Sequence, residues 1–182
     1  MAHGVLIESM IQAKNIDALN RSVKAAVDID GGNLIALTAP TTQGDDVWTA
    51  AKPATGSLGD LWIAYNPEVK YTYVNGKVYA GLSADARDYT NVAGEVFDAF
   101  KPKKGDEIVI LADNVDASDV DDVEAGDFLE AANGKAVFVR KTSSATVGST
   151  AFEVEWVGSI DFPKAGVGLD KVKAFKAVCV QE

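Results

Sequence analysis

Eight acids crowd one stretch of the chain, Asp113, Asp116, Asp119, Asp121, Asp122, Glu124, Asp127 and Glu130, with no Lys, Arg or His among them. Carboxylates at that density suggest a hard cation. An EF-hand loop needs oxygen ligands at positions one, three and five, Gly at six and Glu at twelve. Counting from Asp116 puts Val120 at five and Asp121 at six; counting from Asp119 puts Val123 and Glu124 there. Both frames fail, so the run is expected to be a solvated loop, with an irregular calcium site as the alternative. No metal ligand is assigned.

Acid–base and nucleophilic chemistry find less support. Asp85, Asp88, Glu95 and Asp98 lie among aromatic residues, as a glycosidase pair would, yet no spacing selects two of them. His3 is the sole histidine, placed at an end expected to be mobile, and Cys179 is the sole cysteine. Neither Ser–His, Cys–His nor a zinc set can be assembled from that inventory. Cys179 sits in an alternating apolar stretch and reads as a small buried hydrophobe. Gly31-Gly32 and Gly166-Val167-Gly168 lack the lysine and helix that a phosphate loop requires. The chain is therefore expected not to be an enzyme, with no catalytic or cofactor-binding residue and no cofactor.

Charge narrows the partners. Seventeen basic against 27 acidic residues give a formal net charge of −10. The three arginines, Arg21, Arg87 and Arg140, are scattered, so a phosphate-backbone partner is not expected. No stretch has the length of a transmembrane helix, and the opening Met-Ala-His-Gly-Val has neither a basic region nor a long apolar run. A soluble, intracellularly folded protein with no membrane partner is expected.

The elements that would position these residues read as mainly β: an antiparallel β-sandwich or small β-barrel with one short helix and an N-terminal arm. In Val69 to Ala80, apolar and polar residues alternate on both sides of Asn75-Gly76. That dipeptide suits a two-residue type I′ turn and sets Tyr73 opposite Val78 and Thr72 opposite Tyr79. Strands are expected over Val23–Asp30 and Asn33–Thr38, joined as a hairpin through Gly31-Gly32, and over Val47–Thr49 and Leu61–Tyr65. Further strands are expected over Glu107–Ala112 as a central strand, Lys135–Lys141, Phe152–Val157 and Lys171–Val180. Thr90 to Phe100 carries Ala93, Val96, Phe97 and Phe100 at helical spacing behind a cap, and reads as the short helix. Trp62 and Trp156 are expected in the core, whereas Trp48, in a polar loop, is a candidate interface residue.

Residues 1–22 form the expected arm, extended or a short helix, ahead of a single β-rich domain over 23–182. Its apolar stripe breaks between Ala13 and Ile16, so Leu6, Ile7, Met10, Ile11 and Ile16 are candidate contacts with a partner.

Several stretches carry a family resemblance: LWIAYNPEVKYT, GLSADARDYTNVAGEVFDAFKPKKGDEI, the ending VGLDKVKAFKAVCV, the opening VLIESMIQAKNIDALNRSV and DIDGGNLIAL. Together they resemble small head proteins of tailed bacteriophages and prophages, the capsid decoration (cement) proteins. The acidic run after Ala112 lies outside that resemblance. The resemblance implies a virion protein, made in the bacterial host cytoplasm, that binds the major capsid protein on the outer surface of the head and stabilises the shell. It also implies homotrimers at local threefold positions, with the arm bridging shell subunits. The alternatives are a glycan-binding module using Tyr71, Tyr73, Tyr79 and Tyr89, and a tail structural module of a phage particle.

Overall fold

The computed structural model describes residues 3–12, 19–42, 46–67, 71–74, 77–80, 85–163 and 168–181, with the backbone alone for 71–74 and 77–80. The fold is mainly β. Its first strands are β1 (Asn20–Ala25), β2 (Leu34–Pro40), β3 (Trp48–Ala51) and β4 (Leu61–Ala64). A hairpin follows, β5 (Tyr71–Val74) and β6 (Lys77–Ala80), and then β7 (Val96–Phe100). β1, β3, β2, β4 and β7 close into a barrel in that order. All of its pairings are antiparallel except β1 with β3.

Strand alternation builds two cores from this barrel. Val23, Ala25, Ile35, Ala50, Trp62, Ala64, Phe97 and Ala99 point inward and fill it. A five-stranded barrel is narrow, so its interior is packed side chain. The intervening Leu34, Ala36, Leu61, Ile63 and Phe100 point outward and are equally buried. They meet a second sheet made of β8 (Glu107–Leu111), β9 (Phe128–Ala132), β10 (Lys135–Lys141), β11 (Ala151–Pro163) and β12 (Leu169–Gln181). Its order is β10-β9-β11-β12-β8. Ile108, Ile110, Leu129, Phe138, Phe152, Phe175 and Cys179 cover the barrel-facing side, and Phe138 meets Phe152 edge-on with ring centres 5.7 Å apart. Each such buried side chain contributes roughly 1.5–3 kcal/mol, so barrel and sheet are one cooperative unit.

The hairpin register is the expected one, with Tyr73 opposite Val78 and Thr72 opposite Tyr79; the Asn75-Gly76 turn lies outside the described residues. Three expectations are corrected. The segment read as a helix over 90–100 turns at Gly94, whose φ of 84° ends any helix, and then runs as β7. Phe97 and Ala99 fill the barrel from that strand, so packing across the barrel overrode the local helical spacing. β1 and β2 turn at Gly31-Gly32 without pairing, because β3 inserts between them. β8 is apolar because both its faces are buried, yet it is an edge strand of its sheet.

Candidate functional site

The segment read as an arm is a strap. Residues 3–12 cross the junction of barrel and sheet, mostly extended, with one 3-10 turn at Glu8–Met10. The His3 N–H donates to the Arg87 carbonyl at 2.8 Å, and His3 Nδ1 lies 2.9 Å from Asp30 Oδ1, so this end is held. The Leu6 N–H donates to Asn66 Oδ1 at 2.8 Å, and Asn66 Nδ2 donates back to the Leu6 carbonyl at 2.7 Å. Gln12 and Glu107 exchange both backbone hydrogen bonds, which caps part of the open edge of β8.

Its side chains divide. Leu6, 2% exposed, belongs to the core between barrel and sheet, and Ile11 packs against the same core. Val5 joins Val109, Leu111, Phe162, Val172 and Ala174 on the outer face of the second sheet, with Ile7 against them. Met10 remains 46% exposed. Ile16 lies outside the described residues. Leu6 is thus corrected from a contact residue to a core residue, because its side chain packs in the core shared by barrel and sheet. Asn20 to Ser22, assigned to the arm, are strand β1 of the barrel.

A groove of about 680 Å³ opens between strap and barrel rim, walled among the described residues by Ile7, Glu8, Tyr65, Asn66, Asp98 and Phe162. Burial first, then the carboxylates of Glu8 and Asp98, raises the Tyr65 phenol above its ordinary pKa. Beside it Arg87 forms a clasp. Its guanidinium binds Asp85 through both Nε and Nη2, and Nη2 also lies 2.8 Å from Asp170 Oδ2 of β12. The hydrogen bonds to Asp85 raise the Arg87 pKa, and those same bonds lower that of Asp85 against the opposing effect of burial. Burial leads the rise at neighbouring Asp113. These are holding contacts: they tie barrel loop, strap and β12 together.

The acids considered for glycosidase chemistry have separate duties. Asp85 serves Arg87, Asp98 accepts from Ser22 Oγ at 2.8 Å, and Asp88 and Glu95 are exposed. Trp48 lies on β3, half-buried against the barrel interior, with the Arg21 guanidinium 4.1 Å from its ring centre. It belongs to a different cluster from the strap residues. Tyr89 is buried and cannot serve as an exposed platform, and the side chains of Tyr71, Tyr73 and Tyr79 lie outside the described residues.

The acidic run is a belt, which sequence reasoning missed. The Asp116 N–H donates to the Phe138 carbonyl at 2.8 Å, and Asp119 Oδ2 accepts from the Arg140 N–H at 3.1 Å, so the run covers the outer edge of β10. Asp127 Oδ2 accepts from Arg140 Nε at 2.6 Å and from the Glu124 N–H at 2.9 Å. Lys135 pairs with Asp116, and Lys173 Nζ donates to the carbonyls of Val120 and Asp121. Val115 and Val123 anchor the belt in the core. Those valines, recurring among the acids, were the available signal. Among the described residues no group of three or more His, Cys, Asp or Glu is placed to hold a metal ion.

Trp62 is in the barrel core as expected, but Trp156 is 48% exposed. A bulge between Val154 and Trp156 reverses which side of β11 faces the core, so alternation counted from Phe152 fails there. Among the described residues no helix is long and apolar enough to cross a membrane. Comparison with family models, curated proteins and solved structures gives no match.

Proposed function

We propose that this chain is a capsid decoration (cement) protein of a tailed-phage head, a non-enzymatic virion protein that binds the outer surface of the shell and stabilises it. The observation that carries the reading is the strap. An extended segment with apolar residues is locked across two β units, lines a groove with Ile7 and Glu8, and leaves Met10 exposed to solvent. Because Leu6 and Val5 already hold the strap, its ordering cost of about 1–2 kcal/mol per residue is met within the folded chain and need not be met on binding. A preorganised segment of this kind suits attachment to a repeated lattice, where modest contacts from many copies sum to a large gain in shell stability. The family resemblance of the sequence favours the major capsid protein as partner and homotrimers as the attached form. The net charge of −10 disfavours contact with packaged nucleic acid and suits an outer position.

The test is to mix the purified protein with undecorated heads and sediment the mixture. Saturable co-sedimentation, together with a raised disruption temperature of the heads, is expected, and Met10→Glu should weaken it without unfolding the protein. Failure to bind heads at any concentration would overturn the reading.

A further inference from the structure

Trp156 is held in an unusual way for an exposed aromatic. Single exposed apolar residues are common and carry no message by themselves. Here two backbone features fix one. The bulge after Val154 turns Trp156 away from the barrel, and Gly158, two residues on along β11, leaves the space into which the indole folds. A Cβ at Gly158 would overlap the six-membered ring of that indole. Gly158 is paired with Ala174 on β12, so the floor beneath the ring is two small residues side by side. A glycine inside a strand weakens it, and such a position often marks close approach of another group. The six-membered ring therefore lies over Gly158, and Trp156 as a residue keeps 48% exposure.

Charged groups of β8, β11 and β12 meet beside Trp156 in the sheet. Lys176 is directly opposite Trp156 on β12. Its Nζ lies 2.6 Å from Glu107 Oε2 and 3.5 Å from Glu155 Oε2. An apolar plane bordered by one ammonium and two carboxylates matches a pyranose ring, whose C–H face stacks while its rim hydroxyls donate and accept. The two carboxylates outnumber the ammonium, so the border disfavours an anionic sugar.

We propose that Trp156, Lys176, Glu155 and Glu107 form a binding site for neutral hexopyranose oligosaccharides. The site uses none of the strap residues Leu6, Ile7, Met10 and Ile11. It adds a glycan-adhesion function to the outer face of the second sheet.

The test uses the full chain labelled with ¹⁵N and follows the indole N–H signals of Trp48, Trp62 and Trp156, assigned with Trp156→Phe. Cellotriose, maltotriose and chitotriose are titrated separately, with trigalacturonate as the anionic arm. The expected result is a saturable shift of the Trp156 signal alone with at least one neutral sugar, at a Kd of about 1 mM or tighter. Gly158→Ala, which displaces the ring, should weaken that binding at least about tenfold while the thermal melt stays cooperative. Should Gly158→Ala fail to fold, Lys176→Met tests the border instead, with the same loss expected. The proposal is overturned if no neutral sugar moves the Trp156 signal, if binding survives both variants, or if trigalacturonate binds more tightly than the neutral sugars. It is equally overturned if Trp156→Ala abolishes head binding while no sugar binds, since the indole would then be a protein anchor.

Discussion

The two outer edges of the five-stranded sheet are covered by opposite means. At β8 the strap approaches with Val5, Leu6 and Ile11, and its hold is mostly apolar burial. At β10 the belt approaches with Asp116, Asp119 and Asp127, and its hold is mostly carboxylates meeting Lys135, Arg140 and backbone N–H groups. An open strand edge is a template for unwanted pairing, so both solutions answer one problem. They differ in what should disturb them. Apolar burial is not weakened by added salt and depends little on pH, whereas exposed ion pairs are screened by salt and lost when carboxylates protonate.

The largest expected effect is at the strap. Leu6→Ala removes a buried side chain from the core shared by barrel and sheet and should cost about 2–5 kcal/mol in a denaturant melt. A loss near zero would return the strap to the status of a free arm. At the belt, Asp127→Ala leaves the Glu124 N–H and the Arg140 guanidinium without this acceptor and should cost about 1–3 kcal/mol. Added salt should weaken the more exposed Lys135–Asp116 pair, narrowing the gap between wild type and an Asp116 variant, while leaving the Leu6 gap and the buried Asp127 contribution nearly unchanged. Equal salt responses would erase the contrast.

Smaller again is Asp116. The hydrogen bonds from Lys135 and Ser118 hold its carboxyl well below the usual carboxylate range. A depressed folded-state pKa stabilises the fold above the unfolded value of about 4 and loses that contribution as pH falls through the folded value. Wild type should therefore exceed Asp116→Asn in melting temperature at neutral pH, and the two should converge in strong acid. Divergence on acidification would give the wrong sign. Smallest is chelation: with the acids of the belt engaged by lysine, arginine and backbone, EDTA should leave the melting temperature unchanged. A clear drop would make the belt a metal site.

Much of the second sheet was legible in sequence. Lys135–Lys141 emerged with its expected bounds, and Phe152 and Val154 point inward where alternation put them. The β5–β6 register followed from two residues of turn chemistry. What failed depended on contacts far apart in sequence. Phe97 and Phe100 share a face at helical spacing and take opposite faces in a strand, and only the closing of the barrel between β1 and β4 decides between the two. Trp156 failed because one bulged residue inverts all later alternation on β11, and a bulge of this kind leaves no compositional mark. The site was less legible than the fold. Leu6 and Met10 look alike in sequence as apolar residues of one stripe, yet one is core and the other is exposed. The belt's bases come from β10 and β12, so reading the acids alone made them look unaccompanied.

Native-state hydrogen exchange at the Gln12 and Glu107 amides tests the integrated strap most directly, since these two residues exchange both backbone bonds across the β8 edge. If the strap is part of the folded unit, both amides should exchange with an opening free energy close to the global unfolding value, and Leu6→Ala should lower both together. Exchange of the Gln12 amide near the rate of an unstructured peptide, with the core amides of Ile108 and Phe175 still protected, would contradict it.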